Sequence, residues 1–110
     1  MRILFIGDIV GSPGRQMLQQ HLPALKEKIC PDLTIVNGEN AAHGKGITKK
    51  IYYQLLGCGA DYITMGNHTF SKSELKMFIQ EADRLIRPVN LAPVELGEGV
   101  RIVRVNGKRI

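Results

Sequence analysis

At 110 residues, 44 % apolar and 23 % charged, the chain has the composition of one small globular domain or of part of a larger one. No segment approaches the ~18 continuous apolar residues of a membrane span, and Cys30 and Cys58, with no CxxC between them, exclude a disulfide scaffold. The formal charge of +5 suits a phosphate-bearing partner, but the basic residues are scattered and Trp is absent, which disfavours a dedicated base-stacking groove.

The opening MRILFIGDIVG holds one basic residue, a short apolar run and then an acid, the pattern of a first β-strand over residues 2–7 rather than of a signal peptide. A cytoplasmic location is expected. Ser12-Pro13 offers a helix cap with proline in the first turn, and Leu18, Leu22, Leu25 and Ile29 recur at a helical interval. Pro23 removes a backbone donor and predicts a kink or an early end to that helix. Leu33 to Val36 is apolar without interruption and predicts a strand inside a parallel sheet covered on both faces.

Beyond the polar loop 37–47, Thr48 caps a predicted helix whose apolar face is Ile51, Tyr52, Leu55 and Leu56, with Gly57 and Gly59 as its stop. Tyr62 to Met65 follows as a third strand. Ser71 and Glu74 then match a capping box for a helix bearing Leu75, Phe78, Ile79 and Ala82. Three strand–helix units in succession predict an α/β fold with its site beyond the carboxyl ends of the strands. Ile86 to Asn90 is a candidate fourth strand at an edge, where Pro88 is tolerated. Val105-Asn106-Gly107-Lys108 carries a strong hairpin signal, but its return arm is short at Lys108-Arg109-Ile110. The expectation is an amino-terminal portion of a larger α/β protein.

Polar residues collect where the strands end. Asp8 follows the first, Asn37, Glu39 and Asn40 the second, and Asn67 and His68 the third. A two-ion phosphoesterase needs oxygen donors on each ion and one ligand that bridges them. Glu39 is the natural bridge, Asp8 supplies a carboxylate to one ion and Asn67 an amide oxygen to the other. Asn40 either holds the second ion or orients Glu39, and His68 protonates the leaving alkoxide or stabilises charge on the phosphoryl oxygens. His43 and Lys45 in the glycine-rich loop are candidates to meet substrate phosphate, beside backbone amides at Gly38, Gly44 and Gly46. Taken singly, these residues also suit ordinary turns: Asp8 after a strand and Asn37-Gly38 are both turn formers. Neither a P-loop nor GxGxxG is present. His21 falls on a helix flank, and Tyr52 and Phe78 are expected in the core.

Together, MRILFIGDIVGSPGR, TIVNGENAAHGKGIT, ADYITMGNHTF and LIRPVNLAP resemble the amino-terminal half of the YmdB-like branch of the calcineurin-like metallophosphoesterases. The resemblance spans residues 1–93. It implies a four-layer α/β/β/α sandwich, of which residues 1–110 form a partial domain without the carboxyl half. It further implies two divalent ions (iron, manganese or magnesium), with Asp8 on one, Glu39 between them, Asn67 on the other, Asn40 in the same motif and His68 beside the leaving group. The implied reaction is hydrolysis of cyclic-nucleotide phosphodiesters. Val10 stands where the broader superfamily has the histidine of Asp-x-His, and the family's carboxyl half brings further histidine ligands, whereas this chain holds only His21, His43 and His68. The chain by itself is therefore expected to be inactive. The alternative expectation is a non-enzymatic, RNA-linked binding or assembly module that self-associates through exposed sheet edges, or an inactive remnant.

Overall fold

The computed structural model describes residues 1–110. Its elements run β1 (Ile3–Ile6), α1 (Gly11–Ile29), β2 (Leu33–Asn37), α2 (Lys49–Gly57), β3 (Tyr62–Thr64), α3 (Glu74–Phe78), β4 (Leu85–Ile86), β5 (Arg104–Val105) and β6 (Lys108–Arg109). The first four strands form one parallel sheet in the order β1-β2-β3-β4, and β5-β6 is a separate antiparallel hairpin. No helix is long and apolar enough to cross a membrane.

Strand order equal to chain order has a geometric consequence. Right-handed crossovers repeated in one direction place every helix on the same face of the sheet. Ile6, Val36 and Ile63 lie side by side in the register with Leu85 on that face, and the last three are at most 1 % exposed. They pack on Leu18 and Leu22 of α1, Tyr52 and Leu55 of α2, and Leu75 and Phe78 of α3. The opposite face is open over β1, where Ile3 and Phe5 are 47 % and 57 % exposed, while Leu33 is buried near the hairpin and Ile35, Tyr62 and Ile86 are half-buried. The expectation that β2 is covered on both sides thus holds at Leu33 and is corrected at Ile35 and Asn37, which are half-buried, since these residues build one helix layer on one sheet, two layers of the four-layer sandwich.

Local chemistry sets most boundaries. Thr48 Oγ1 accepts from Ile51 N at 3.3 Å and starts α2, as its sequence predicts. Asn106 and Gly107 take φ of 49° and 78°, the two left-handed positions of the hairpin turn. Tyr52 and Phe78 are core aromatics with ring centroids 6.0 Å apart, and burial pushes the Tyr52 hydroxyl above its ordinary pKa. Cys30 and Cys58 are free thiols, and burial likewise raises Cys58.

Three local expectations are corrected. Val10, not Ser12, is the N-cap of α1, and Ser12 Oγ instead accepts from Gln16 Nε2 at 3.1 Å. Pro23 does not end α1, which runs from Gly11 to Ile29 with Pro23 on its exposed side, where water can satisfy the carbonyl left without a donor. Finally, Ser71 and Glu74 form no capping box. Glu74 Oε1 accepts from Lys49 N at 3.1 Å, so it satisfies the first amide of the neighbouring α2.

The hairpin is moored at the amino-terminal end of the sheet, away from the strand ends that carry the polar residues. Asn106 Nδ2 donates to Asp32, whose other oxygen accepts from Arg2 N at 2.6 Å. The backbone donor, with Asn106 and the nearby positive charges, lowers the Asp32 pKa.

Candidate metal centre

Each strand end is tied to the next by backbone. Ile9 N donates to Asn37 O at 3.1 Å and Gly11 N to Asn40 O at 3.0 Å, fixing the β1 exit against the β2 exit. Gly38 N donates to Thr64 O at 2.9 Å and fixes the β2 exit against β3. Asp8 itself takes a left-handed backbone, with φ of 44°, a conformation that Asp tolerates better than most side chains and that recurs at functional strand ends.

The side chains follow this frame. Asn40 Nδ2 donates to Asp8 Oδ1 at 2.7 Å, so Asn40 orients Asp8 across 32 positions of sequence. The other end of that amide, Asn40 Oδ1, is buried with no hydrogen-bond partner, and so is Asn37 Oδ1. The Glu39 carboxylate lies directly over Gly66: a Cβ added there would stand 2.1 Å from Oε2 and 2.3 Å from Oε1. Asp8, Asn40 and Glu39 are thereby linked to the β3 exit. Asn67 is exposed on that exit, next to the half-buried His68, whose Nδ1 is 3.3 Å from Ser71 Oγ.

Sequence reasoning missed two supports of this arrangement. Thr69 is fully buried and closes the turn around Asn67 and His68, with its N and Oγ1 both donating to Gly66 O, at 3.1 and 2.6 Å. Its signal was the hydroxyl residue directly behind Gly-Asn-His, a position suited to closing a side-chain turn. Arg15 Nη1 donates to Ala41 O and pins the loop behind Asn40 from α1. Nothing in its local sequence marks it.

The donor set is oxygen-rich. No three His, Cys, Asp or Glu side chains come together anywhere in the chain, so the two carboxylates of this region stand among asparagine amides. Carboxylate and amide oxygens suit hard cations such as magnesium and manganese. An unpartnered buried amide oxygen beside a carboxylate is an acceptor without a donor, which fits an oxygen-liganded cation. The substrate candidates separate. His43 lines a cleft with Arg15, Thr48, Lys50, Ile51 and Gln54, whereas Lys45 is exposed outside it. His21 lies with Met17, Leu18 and Leu25 along an apolar groove between α1 and β1.

The family model for YmdB-like protein matches residues 4–110. The chain belongs to the YmdB-like family. Among its curated relatives, a 2′,3′-cyclic-nucleotide 2′-phosphodiesterase of Bacillus subtilis is 56 % identical over 110 residues, covering all of this chain and 42 % of that protein. Two crystal structures share the YmdB-like fold seen here. One, a hypothetical protein from Thermus thermophilus, superposes with a TM-score of 0.89 at 38 % identity, over 99 % of this chain and 42 % of its own. The other, a novel phosphatase from Mycoplasma pneumoniae, gives 0.88 at 41 % identity over 96 % and 39 %. The chain thus spans about two fifths of the length of these relatives.

Proposed function

We propose that this chain supplies the amino-terminal part of the active site of a metal-dependent phosphodiesterase that hydrolyses cyclic nucleotides. The observation that carries the reading is the joining of three strand exits through the Asn40–Asp8 hydrogen bond and the seat of Glu39 over Gly66. The Bacillus relative's named activity gives the substrate class. Two divalent ions, when bound, would supply the positive charge that a phosphodiester needs at its non-bridging oxygens and at the attacking water.

Each residue then has a task. Asp8, held by Asn40, would ligate one ion, Asn67 with Asn40 Oδ1 the other, and Glu39 both. Gly66 leaves open the space in which the Glu39 carboxylate lies. His68 has one nitrogen within reach of Ser71, which leaves Nε2 to give a proton to the departing alkoxide. The remaining ligands would come from the rest of the full-length protein.

The test is hydrolysis of 2′,3′-cyclic AMP by the full-length protein that carries this chain, with and without Mn²⁺. Turnover that needs the metal and falls at least about 100-fold on Glu39→Ala is expected, as is little or no turnover by residues 1–110 alone. Absence of metal-dependent hydrolysis of this and of generic phosphodiesters would sink the reading.

A further inference from the structure

The cleft that holds His43 is not part of the metal donor set. It measures about 590 Å³, within the range of ~300–1,000 Å³ usual for small-ligand sites, and it lies between the first turns of α1 and α2. Three of its lining residues are Arg15, His43 and Lys50, and none is acidic. By contrast, the cleft beneath the hairpin carries Asp32 and Asp61, and the cleft beside α3 carries Asp83, Glu95 and Glu98. The chain's ion pairs engage Lys49 with Glu81 and Arg101 with Glu98, so neither Arg15 nor Lys50 has a carboxylate partner. Basic groups gathered without counter-charge raise the local potential and attract an anion.

Arg15 joins this cleft to the metal region. Its Nη1 is fixed on Ala41 O, the carbonyl directly after Asn40, and its Nε is buried without an acceptor. The guanidinium is therefore held in place with its charge uncompensated. Thr48 Oγ1 already accepts from Ile51 N, which leaves its hydroxyl proton free to donate, and Gln54 adds an amide donor. Its only aromatic ring is the His43 imidazole, with no Phe, Tyr or Trp in the lining, so it offers contacts mainly to phosphate and sugar and little platform for a base.

We propose that this cleft is a second phosphate site, which seats a phosphate of an oligonucleotide away from the scissile one. The proposal rests on the phosphodiesterase reading for the location of the scissile phosphate. A 2′,3′-cyclic mononucleotide carries one phosphate and cannot occupy both places. The substrate class this selects is a short single-stranded RNA with a cyclic phosphate end, bound with little regard to its base sequence.

The test is fluorescence anisotropy of the full-length protein that carries this chain with a labelled RNA tetranucleotide in EDTA, so that neither divalent metal nor turnover is involved. Binding that weakens with salt is expected. It should weaken about tenfold or more in Lys50→Glu, an exposed residue with no hydrogen bond or ion pair to lose, because a charge-assisted contact is replaced by repulsion. Lys108→Glu at the hairpin, with the same change in net charge, should bind as the parent does. Excess 2′,3′-cyclic AMP should compete poorly. No binding at low salt, or equal loss in Lys50→Glu and Lys108→Glu, would overturn the proposal. Either result would leave metal-dependent hydrolysis to be judged on its own assay.

Discussion

Gly66→Ala is expected to leave the fold intact while it weakens the metal-dependent activity of the full-length protein by about 10–100-fold. The φ of Gly66 is not in the left-handed region, so its backbone accepts alanine without strain. The difficulty is the space its Cβ would take, 2.1 Å from Glu39 Oε2 and 2.3 Å from Oε1, well inside any possible contact. A carboxylate at the end of a flexible side chain moves more readily than backbone does, so Glu39 swings away at a cost in stability of about 1 kcal/mol or less. Displacing a metal ligand from its position costs on the order of 10–100-fold in metal affinity or activity. Mn²⁺ titration of the hydrolysis rate, run beside a thermal melt, checks both halves. Gly38→Ala makes the contrast: its Cβ would stand 3.0 Å from Ile63 and 3.1 Å from Leu55, so there the crowding falls on the core. A Gly66→Ala protein with unchanged metal dependence would show that the Glu39 carboxylate is not needed where it sits.

The largest stability effect is expected at Arg87. Only 4 % exposed, it has no carboxylate partner, and its guanidinium is enclosed by carbonyls of the segment that follows β4. Nε donates to Leu96 O and Nη1 to Pro88 O, both at 2.6 Å, and Nη2 donates to Val94 O. Longer contacts from Nη1 reach Val89 O and Leu91 O. One side chain thus gathers residues 88–96 into a wall beside the β3 exit, since β3 and β4 are parallel and adjacent. Arg87→Met fills similar volume but leaves those carbonyls without donors, at about 1–3 kcal/mol for each that stays buried. A loss of roughly 3 kcal/mol or more in urea denaturation is expected. A change below about 1 kcal/mol would mean that the segment holds its shape without the cage.

The sequence shows the strands and helices clearly because their signals are local. Periodic leucines, the Thr48 cap and Asn106-Gly107 each act over a few residues, and the structure places β1, α1, β2, α2 and β3 close to the expected bounds, whereas β4 is Leu85–Ile86 rather than Ile86 to Asn90 and α3 ends at Phe78, short of Ile79 and Ala82. The coverage of β2 could not be read in that way, because an apolar run looks the same whether one face or both are covered. That outcome depends on strand order and crossover hand. Glu74 misled for a related reason, since its carboxylate serves a helix start 25 positions away.

The same division holds at the site. Asp8, Glu39, Asn40, Asn67 and His68 were visible because polar residues at strand exits break the apolar pattern. The pairing of Asn40 with Asp8 was not, because it depends on how two loops meet. Arg87 was hidden for a simpler reason: its partners are carbonyls, which every residue has. Arg15 and Lys50 are separated by 35 positions and read as scattered surface charge until the two helix starts bring them to one cleft.

The central claim is that side chains from three strand exits hold the same ions, and crystallography tests it most directly. Anomalous scattering from a Mn²⁺-soaked crystal of the full-length protein is expected to place two peaks at the carboxyl ends of β1, β2 and β3. Glu39 should contact both peaks, Asp8 one and Asn67 the other. Manganese bound elsewhere, with Asp8, Glu39 and Asn67 turned to separate surroundings, would contradict the account.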